Sequence, residues 1–143
     1  MRIGVMSDIH SNVLAFKAAV TELESRGCDE YFLLGDYISD APYTTETLDF
    51  LYEFIRTHKC HVLRGNREEY MLNQREVIRE GRTDEMWIRN SASGNLLYTY
   101  EQLREKDFEF FDSLPIALSI SFIASVVIAL QVSNQFLMTG AES

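Results

Sequence analysis

MRIGVMSDIHSN, residues 1–12, joins an apolar run to a polar turn within a dozen positions. Arg2–Met6 reads as a short buried strand that Asp8 brings to an end. Ser11 and Asn12 then suit the opening of a helix, because their side-chain oxygens accept from the first free backbone N–H groups. Val13–Arg26 carries Val13, Phe16, Val20 and Leu23 at the spacing of one helical face. Gly27 is the stop.

The same unit recurs downstream with different residues. Tyr31–Leu34 reads as a second strand and Gly35–Tyr43 as a loop. Thr44 and Thr45 open a helix whose stripe is Leu48, Leu51, Tyr52 and Ile55, and His61–Arg64 reads as a third strand before Gly65. Strand, helix, strand, helix, strand at this pitch predicts a parallel βαβαβ sheet with helices packed on it. Beyond it the chain reads as helical. Glu68–Glu80 ends at Gly81; Asp84–Leu103 carries Trp87, Ile88, Leu96, Leu97 and Tyr100 with a break near Gly94; Asp107–Leu114 stops at Pro115.

The tail has no charged residue between Asp112 and Glu142, so a membrane anchor has to be weighed. Ile116, Leu118, Ile120 and Phe122 alternate with Ala117, Ser119 and Ser121, which is the period of a strand. Val126–Leu130 then reads as a continuous buried strand. Two strands are the expectation, and a tail anchor is the alternative.

At 143 residues the chain has the length of one domain, which buries roughly two-thirds of its unfolded surface. Its composition, 46% apolar and 24% charged, is that of a globular protein. A net charge of −9 argues against nucleic-acid binding through a broad basic face. An acidic chain that handles an anionic ligand needs bound cations to reverse the sign locally. The start is too short in apolar residues for a secretory leader. Cys28 and Cys60 have no C-x-x-C partner, so the expectation is two buried free thiols in a reducing cytoplasm, with a disulfide or a metal role as the alternative.

Three polar clusters follow the three strands: Asp8-Ile9-His10, Gly35-Asp36 and Gly65-Asn66. Asp36 stands 28 residues after Asp8, and Asn66 a further 30 on, about one βα unit each. Parallel neighbours lie about 4.8 Å apart, so these positions should meet at the carboxyl edge of the sheet, where open α/β sheets bind ligands. Any one cluster alone reads as turn chemistry. Together they offer two carboxylates, an imidazole and a carboxamide oxygen, a set that suits Mn²⁺, Zn²⁺, Fe or Ni²⁺.

With those residues in place, the sequence resembles the calcineurin-like metallophosphoesterase family. That family's signature runs D-x-H, G-D-x-x-D, G-N-H-[DE], a lone His and G-H-x-H. Matching residues are Asp8 and His10, then Gly35 and Asp36, then Gly65, Asn66 and Glu68. The wording MRIGVMSDIHSN, FLLGDY and VLRGNRE is similar to that of bacterial members, and the resemblance covers roughly residues 1–122. It implies the first half of an α/β/β/α sandwich and hydrolysis of a phosphomonoester or phosphodiester at a dinuclear metal site. Asp8 and His10 would bind the first metal, Asp36 would bridge both, and Asn66 would bind the second. Two divalent ions, Mn²⁺ foremost, are the implied cofactors, and a small phosphate ester is the implied substrate.

Three departures qualify the match. Arg67 stands where many members carry a histidine; a guanidinium does not give up its proton in proteins, so it is expected to contact phosphate or else to be a solvated or structural charge. Asp40 falls one residue late for G-D-x-x-D, with Ser39 in the matching place, and is expected to be a turn or helix-entry residue. Finally, His10, His58 and His61 are the only histidines; the last two are expected at the surface, and Gln131-Val132-Ser133-Asn134 follows the last strand where a histidine should arrive. The chain therefore reads as a single, truncated domain over residues 1–143: a fragment, a chain whose reading frame changes after about Phe122, or one whose site another subunit completes. Its alternative function is an incomplete family fragment that binds metal or a partner, with an uncompleted sheet edge through which it could form an oligomer.

Overall fold

The computed structural model describes residues 1–82, 94–119 and 126–131. The chain runs β1 (Arg2–Ser7), α1 (Val13–Ser25), β2 (Glu30–Leu33), α2 (Thr44–Thr57), β3 (Cys60–Val62), α3 (Asn66–Arg79), α4 (Gly94–Gln102), α5 (Glu105–Ser113) and β4 (Val126–Gln131). All pairings among these strands are parallel, in the order β3-β2-β1-β4. The α/β class and the βαβαβ start are as the periodicity predicts.

Register explains how the site is assembled. Met6 lies opposite Leu33 and Leu33 opposite Val62, so the three strands finish level. Asp8, Asp36 and Asn66 follow those positions by two to four residues and share one edge. β4 lies on the other side of β1 with Gln131 opposite Ser7, so it ends at that edge as well.

The helices form where their apolar faces can be buried. Asn12 caps α1, its Oδ1 accepting from the Ala15 N–H at 3.0 Å. The face it starts is the expected one: Val13, Phe16, Val20 and Leu23 are all buried. On α2, Leu48, Leu51 and Phe54 join the same core, and α1 packs against α2. Phe16 meets Phe50 and Phe54 edge-on at 5.0 and 6.1 Å, favourable geometry for ring pairs. α3 packs on α5, through which Phe108 and Phe111 reach the core.

Two helices start earlier than expected, both because of a carboxylate. Glu68 Oε2 accepts from the Gly65 N–H, which starts α3 at Asn66 and not at Glu68. Asp107 Oδ2 accepts from the Arg104 N–H, which starts α5 at Glu105. An acid three residues into a helix satisfies an otherwise unpaired donor.

The tail needs one correction. Residues 116–119 form no strand, and Ile116 and Leu118 are exposed, so the alternation that begins there does not produce pairing in this part. Its remaining positions, Ile120 to Phe122, lie outside the described residues, as do Trp87 and Ile88 of the long helical stretch. The strand expected at Val126–Leu130 is present as β4. No helix among the described residues is long and apolar enough to cross a membrane.

Candidate metal centre

Two loops extend the β1–β2 pairing past the ends of the strands. Asp8 N–H donates to Gly35 O at 3.3 Å, His10 N–H to Asp36 O at 2.9 Å, Ser11 N–H to Tyr37 O at 2.8 Å, and Ala41 N–H to His10 O at 3.1 Å. Asp8, His10, Ser11, Asp36, Ser39 and Asp40 all have positive φ, between 49° and 78°. Each such residue costs on the order of 1–3 kcal/mol and persists where its surroundings over-determine it. Among the described non-glycine residues, positive φ occurs only in these two loops.

A third loop is pressed against the second. Gly35 (φ 96°) and Gly65 meet backbone to backbone. A Cβ on Gly35 would overlap the Gly65 N and Cα, and a Cβ on Gly65 would overlap the Asp36 N–H and carboxylate. Glycine at both positions lets Asp36 lie on the N-terminus of α3. There Asp36 Oδ1 accepts from the Arg67 N–H at 2.9 Å, a placement the helix dipole favours.

Glu68 locks this contact. It is fully buried; its Oε2 accepts from the Asp36 and Gly65 N–H groups, both at 2.9 Å, and its Oε1 from the Tyr37 N–H at 2.8 Å. Burial pushes the Glu68 carboxyl up to about 7, although these three N–H donors favour the charged form. Tyr37 is also buried, its hydroxyl lying 2.9 Å from Leu33 O and 2.7 Å from Leu63 O, and burial raises its phenol well above the ordinary range. The matched third block contains Glu68, but its role as a clamp was not read from it. The available signal was its place three residues after Gly65, the spacing of a capping box.

Asp8, His10 and Asp36 each offer one donor atom, and the three atoms lie within 4.8 Å of one another. His10 Nε2 is 3.6 Å from Asp8 Oδ1, while the Ser7 hydroxyl holds Asp8 Oδ2 at 2.5 Å. All three residues are half-buried. Two carboxylates this close repel each other unless a cation lies between them, and their oxygens together with an imidazole nitrogen fit a borderline divalent metal. Asn66 is the first residue of α3 and is exposed.

The remaining residues differ from expectation in detail. Asp40 is no mere turn residue: its Oδ2 lies 3.1 Å from His10 Nδ1 and 3.5 Å from an Arg67 terminal nitrogen. Arg67 is thus paired beside the cluster, as a structural charge would be. His58 and His61 are not part of it and keep partly exposed side chains. His58 stacks on Phe54 and meets Glu24, and His61 stacks on Phe32 and meets Glu30. Cys28 and Cys60 are free and partly buried, and burial raises the Cys60 thiol to about 12.

The model of the calcineurin-like phosphoesterase family matches residues 1–135. The chain belongs to this family. Among its relatives, an uncharacterized protein of Methanocaldococcus jannaschii is 27% identical over 116 residues, 81% of this chain and 43% of that protein. The crystal structure of a hypothetical protein from Pyrococcus horikoshii superposes with a TM-score of 0.65 at 24% identity, covering 81% of this chain and 49% of the other. A metallophosphoesterase from Sphaerobacter thermophilus gives 0.56 at 19% identity, covering 79% and 40%. At these identities the two structures show the shared fold alone. This family member spans less than half the length of each of these proteins.

Proposed function

We propose that this phosphoesterase domain hydrolyses a small phosphomonoester or phosphodiester with the help of divalent cations. The supporting observation is the meeting of Asp8, His10 and Asp36 within 4.8 Å at the carboxyl edge of the sheet. Asp8 and His10 would hold one cation, Asp36 would bridge to a second, and Asn66 would contribute to that second position from the start of α3. Bound there, Mn²⁺ or a similar ion would supply positive charge to the phosphoryl oxygens and acidify an attacking water.

The chain's own residues do the rest. Asp36 is held at the helix N-terminus by its bond from Arg67 N–H, so its carboxylate is oriented before any ion arrives. The Arg67 guanidinium lies beside Asp40 at the rim and can grip a phosphate oxygen with two N–H groups. It has no proton to give to a leaving alcohol, so that proton must come from solvent or from another group. A cleft lined by Asp40, Ala41, Pro42, Asn95 and Tyr98 adjoins this rim and gives room for the organic part of an ester.

A second reading is a metal-binding domain without turnover. It is favoured by the donor set, since the described cluster contains a single imidazole, whereas the family signature brings further histidines. One assay separates the two. The metal-stripped chain is given p-nitrophenyl phosphate and its bis-ester, with and without Mn²⁺, beside an Asp36→Asn control. Mn²⁺-dependent hydrolysis that disappears in the control supports the enzyme. Mn²⁺ binding without hydrolysis supports the second reading, and turnover that survives Asp36→Asn rejects the assigned site.

A further inference from the structure

His10 would have to present Nε2 to a cation, and an imidazole can do so only in the tautomer whose proton is on Nδ1. Two oxygens of a single loop lie near its Nδ1: Ser39 Oγ as a hydrogen-bond partner and Asp40 Oδ2 as an ion-pair contact. Asp40 Oδ2 is 3.1 Å away and Ser39 Oγ is 3.4 Å away. Ser39 is fully buried, and both residues sit at positive φ, 78° and 66°. The Ala41 N–H returns to His10 O at 3.1 Å, so the loop grips the histidine by its backbone as well.

Asp40 is itself held from other directions. Its Oδ1 accepts from Asn95 Nδ2 of α4 at 2.8 Å, and its Oδ2 faces Arg67. One carboxylate therefore joins the imidazole, the guanidinium at the rim and a helix 55 positions further along the chain.

We infer that Ser39 and Asp40 are positioning residues that fix His10 as the Nδ1–H tautomer, leaving the lone pair of Nε2, on the side of Asp8, free for a cation. The inference rests on the metal-site reading for its purpose but not for its geometry, which concerns the metal-free chain. A carboxylate behind a ligating histidine fixes ring orientation and raises ligand basicity, and losing it typically costs about 10- to 100-fold in metal affinity.

The test uses the whole chain, stripped of metal, at about pH 8. Long-range ¹H–¹⁵N correlation spectra report which His10 nitrogen carries the proton, and calorimetric titration with Mn²⁺ reports affinity. Wild type should show a protonated Nδ1. Asp40→Ala should give a mixture of tautomers and about 10- to 100-fold weaker Mn²⁺ binding. Asp40→Asn, which keeps the size of the side chain, should shift the mixture toward Nε2–H because its amide can donate to Nδ1. Ser39→Ala should move the tautomer ratio in the direction of Asp40→Ala, by less. If Asp40→Ala fails to fold, Asp40→Asn and Ser39→Ala carry the tautomer test between them. An unchanged tautomer in every folded variant overturns the inference. A wild type that binds no Mn²⁺ while Asp40→Asn still shifts the tautomer sinks the metal-site reading alone.

Discussion

Glu68 holds Asp36 by its backbone: the Asp36 N–H donates to Glu68 Oε2 at 2.9 Å, across 32 residues of sequence. The same carboxylate takes the Gly65 and Tyr37 N–H groups, so three loop donors depend on one buried side chain. Removing an acceptor strands each buried donor at about 1–3 kcal/mol. Glu68→Ala should therefore lose about 3–5 kcal/mol of stability in urea unfolding, and weaken Mn²⁺ binding in whatever fraction remains folded. Glu68→Gln should retain part of the stability, since its carbonyl oxygen can serve some of the donors. A Glu68→Ala chain as stable as wild type would show that the clamp does not hold the loops.

The contact between Gly35 and Gly65 makes a second, sterically based prediction. Alanine at 35 meets two penalties: a left-handed φ of 96° and a collision with the Gly65 backbone. Alanine at 65 has an ordinary φ of −91° and meets only the collision, with the Asp36 backbone and carboxylate. Strain and overpacking each cost about 1–3 kcal/mol. Gly35→Ala should therefore be the less stable of the two by thermal unfolding. Gly65→Ala should do disproportionate harm to Mn²⁺ affinity, because the atoms displaced are those of Asp36. The reverse order of stabilities would refute this account of the contact.

Much of this centre could be read from residue types and spacing. The αβ periodicity of residues 2–64 placed three loops on one edge, and spacing alone brought Asp8, His10 and Asp36 together. The register confirms why: Met6, Leu33 and Val62 end level, so small differences in loop length decide which atoms meet. The support of the site was harder to see. Glu68, Ser39 and Asp40 act through bonds to backbone or to another side chain, and their partners are set by positive-φ turns that leave no periodic trace in sequence. The exposed Ile116 and Leu118 show the opposite error: among the described residues no strand pairs with 116–119, and alternation alone does not make a strand.

Arg67 provides a kinetic prediction. Its guanidinium occupies the histidine position of the signature pattern G-N-H-[DE], and it lies 3.5 Å from Asp40 at the edge of the cluster. If it grips phosphate, Arg67→Ala should raise KM, or the inhibition constant of inorganic phosphate, by about 10- to 100-fold, equivalent to one or two charge-assisted bonds. Arg67→Lys should recover only part of this, because an ammonium cannot make the paired contact. The pH–rate profiles of wild type and Arg67→Ala should keep the same shape, since no proton passes through this residue. Loss of one limb of the profile in Arg67→Ala would contradict the assignment.

The last prediction concerns folding and uses a group far from the metal cluster. Asp107 is fully buried, its Oδ1 accepting from the Tyr52 hydroxyl at 2.6 Å and from Arg104 at 3.1 Å, its Oδ2 from the Arg104 backbone N–H at 2.8 Å and Nε at 2.9 Å. Burial raises this carboxyl, but the bonds from Arg104 and Tyr52 outweigh it and leave the group below its usual range. A carboxyl depressed in the folded state binds fewer protons there than in the unfolded chain. Its contribution is therefore complete above the unfolded value of about 3.9 and is lost as pH falls through the lower folded value. Asp107→Asn should cost about 2–4 kcal/mol near neutrality, because it removes a charge that Arg104 and Tyr52 share and places an amide against their donors. That gap should narrow as the pH is taken below about 3.9. Urea midpoints of both chains, measured from neutral to acid pH, give the answer directly: parallel curves would mean that the Asp107 charge does not stabilise the fold.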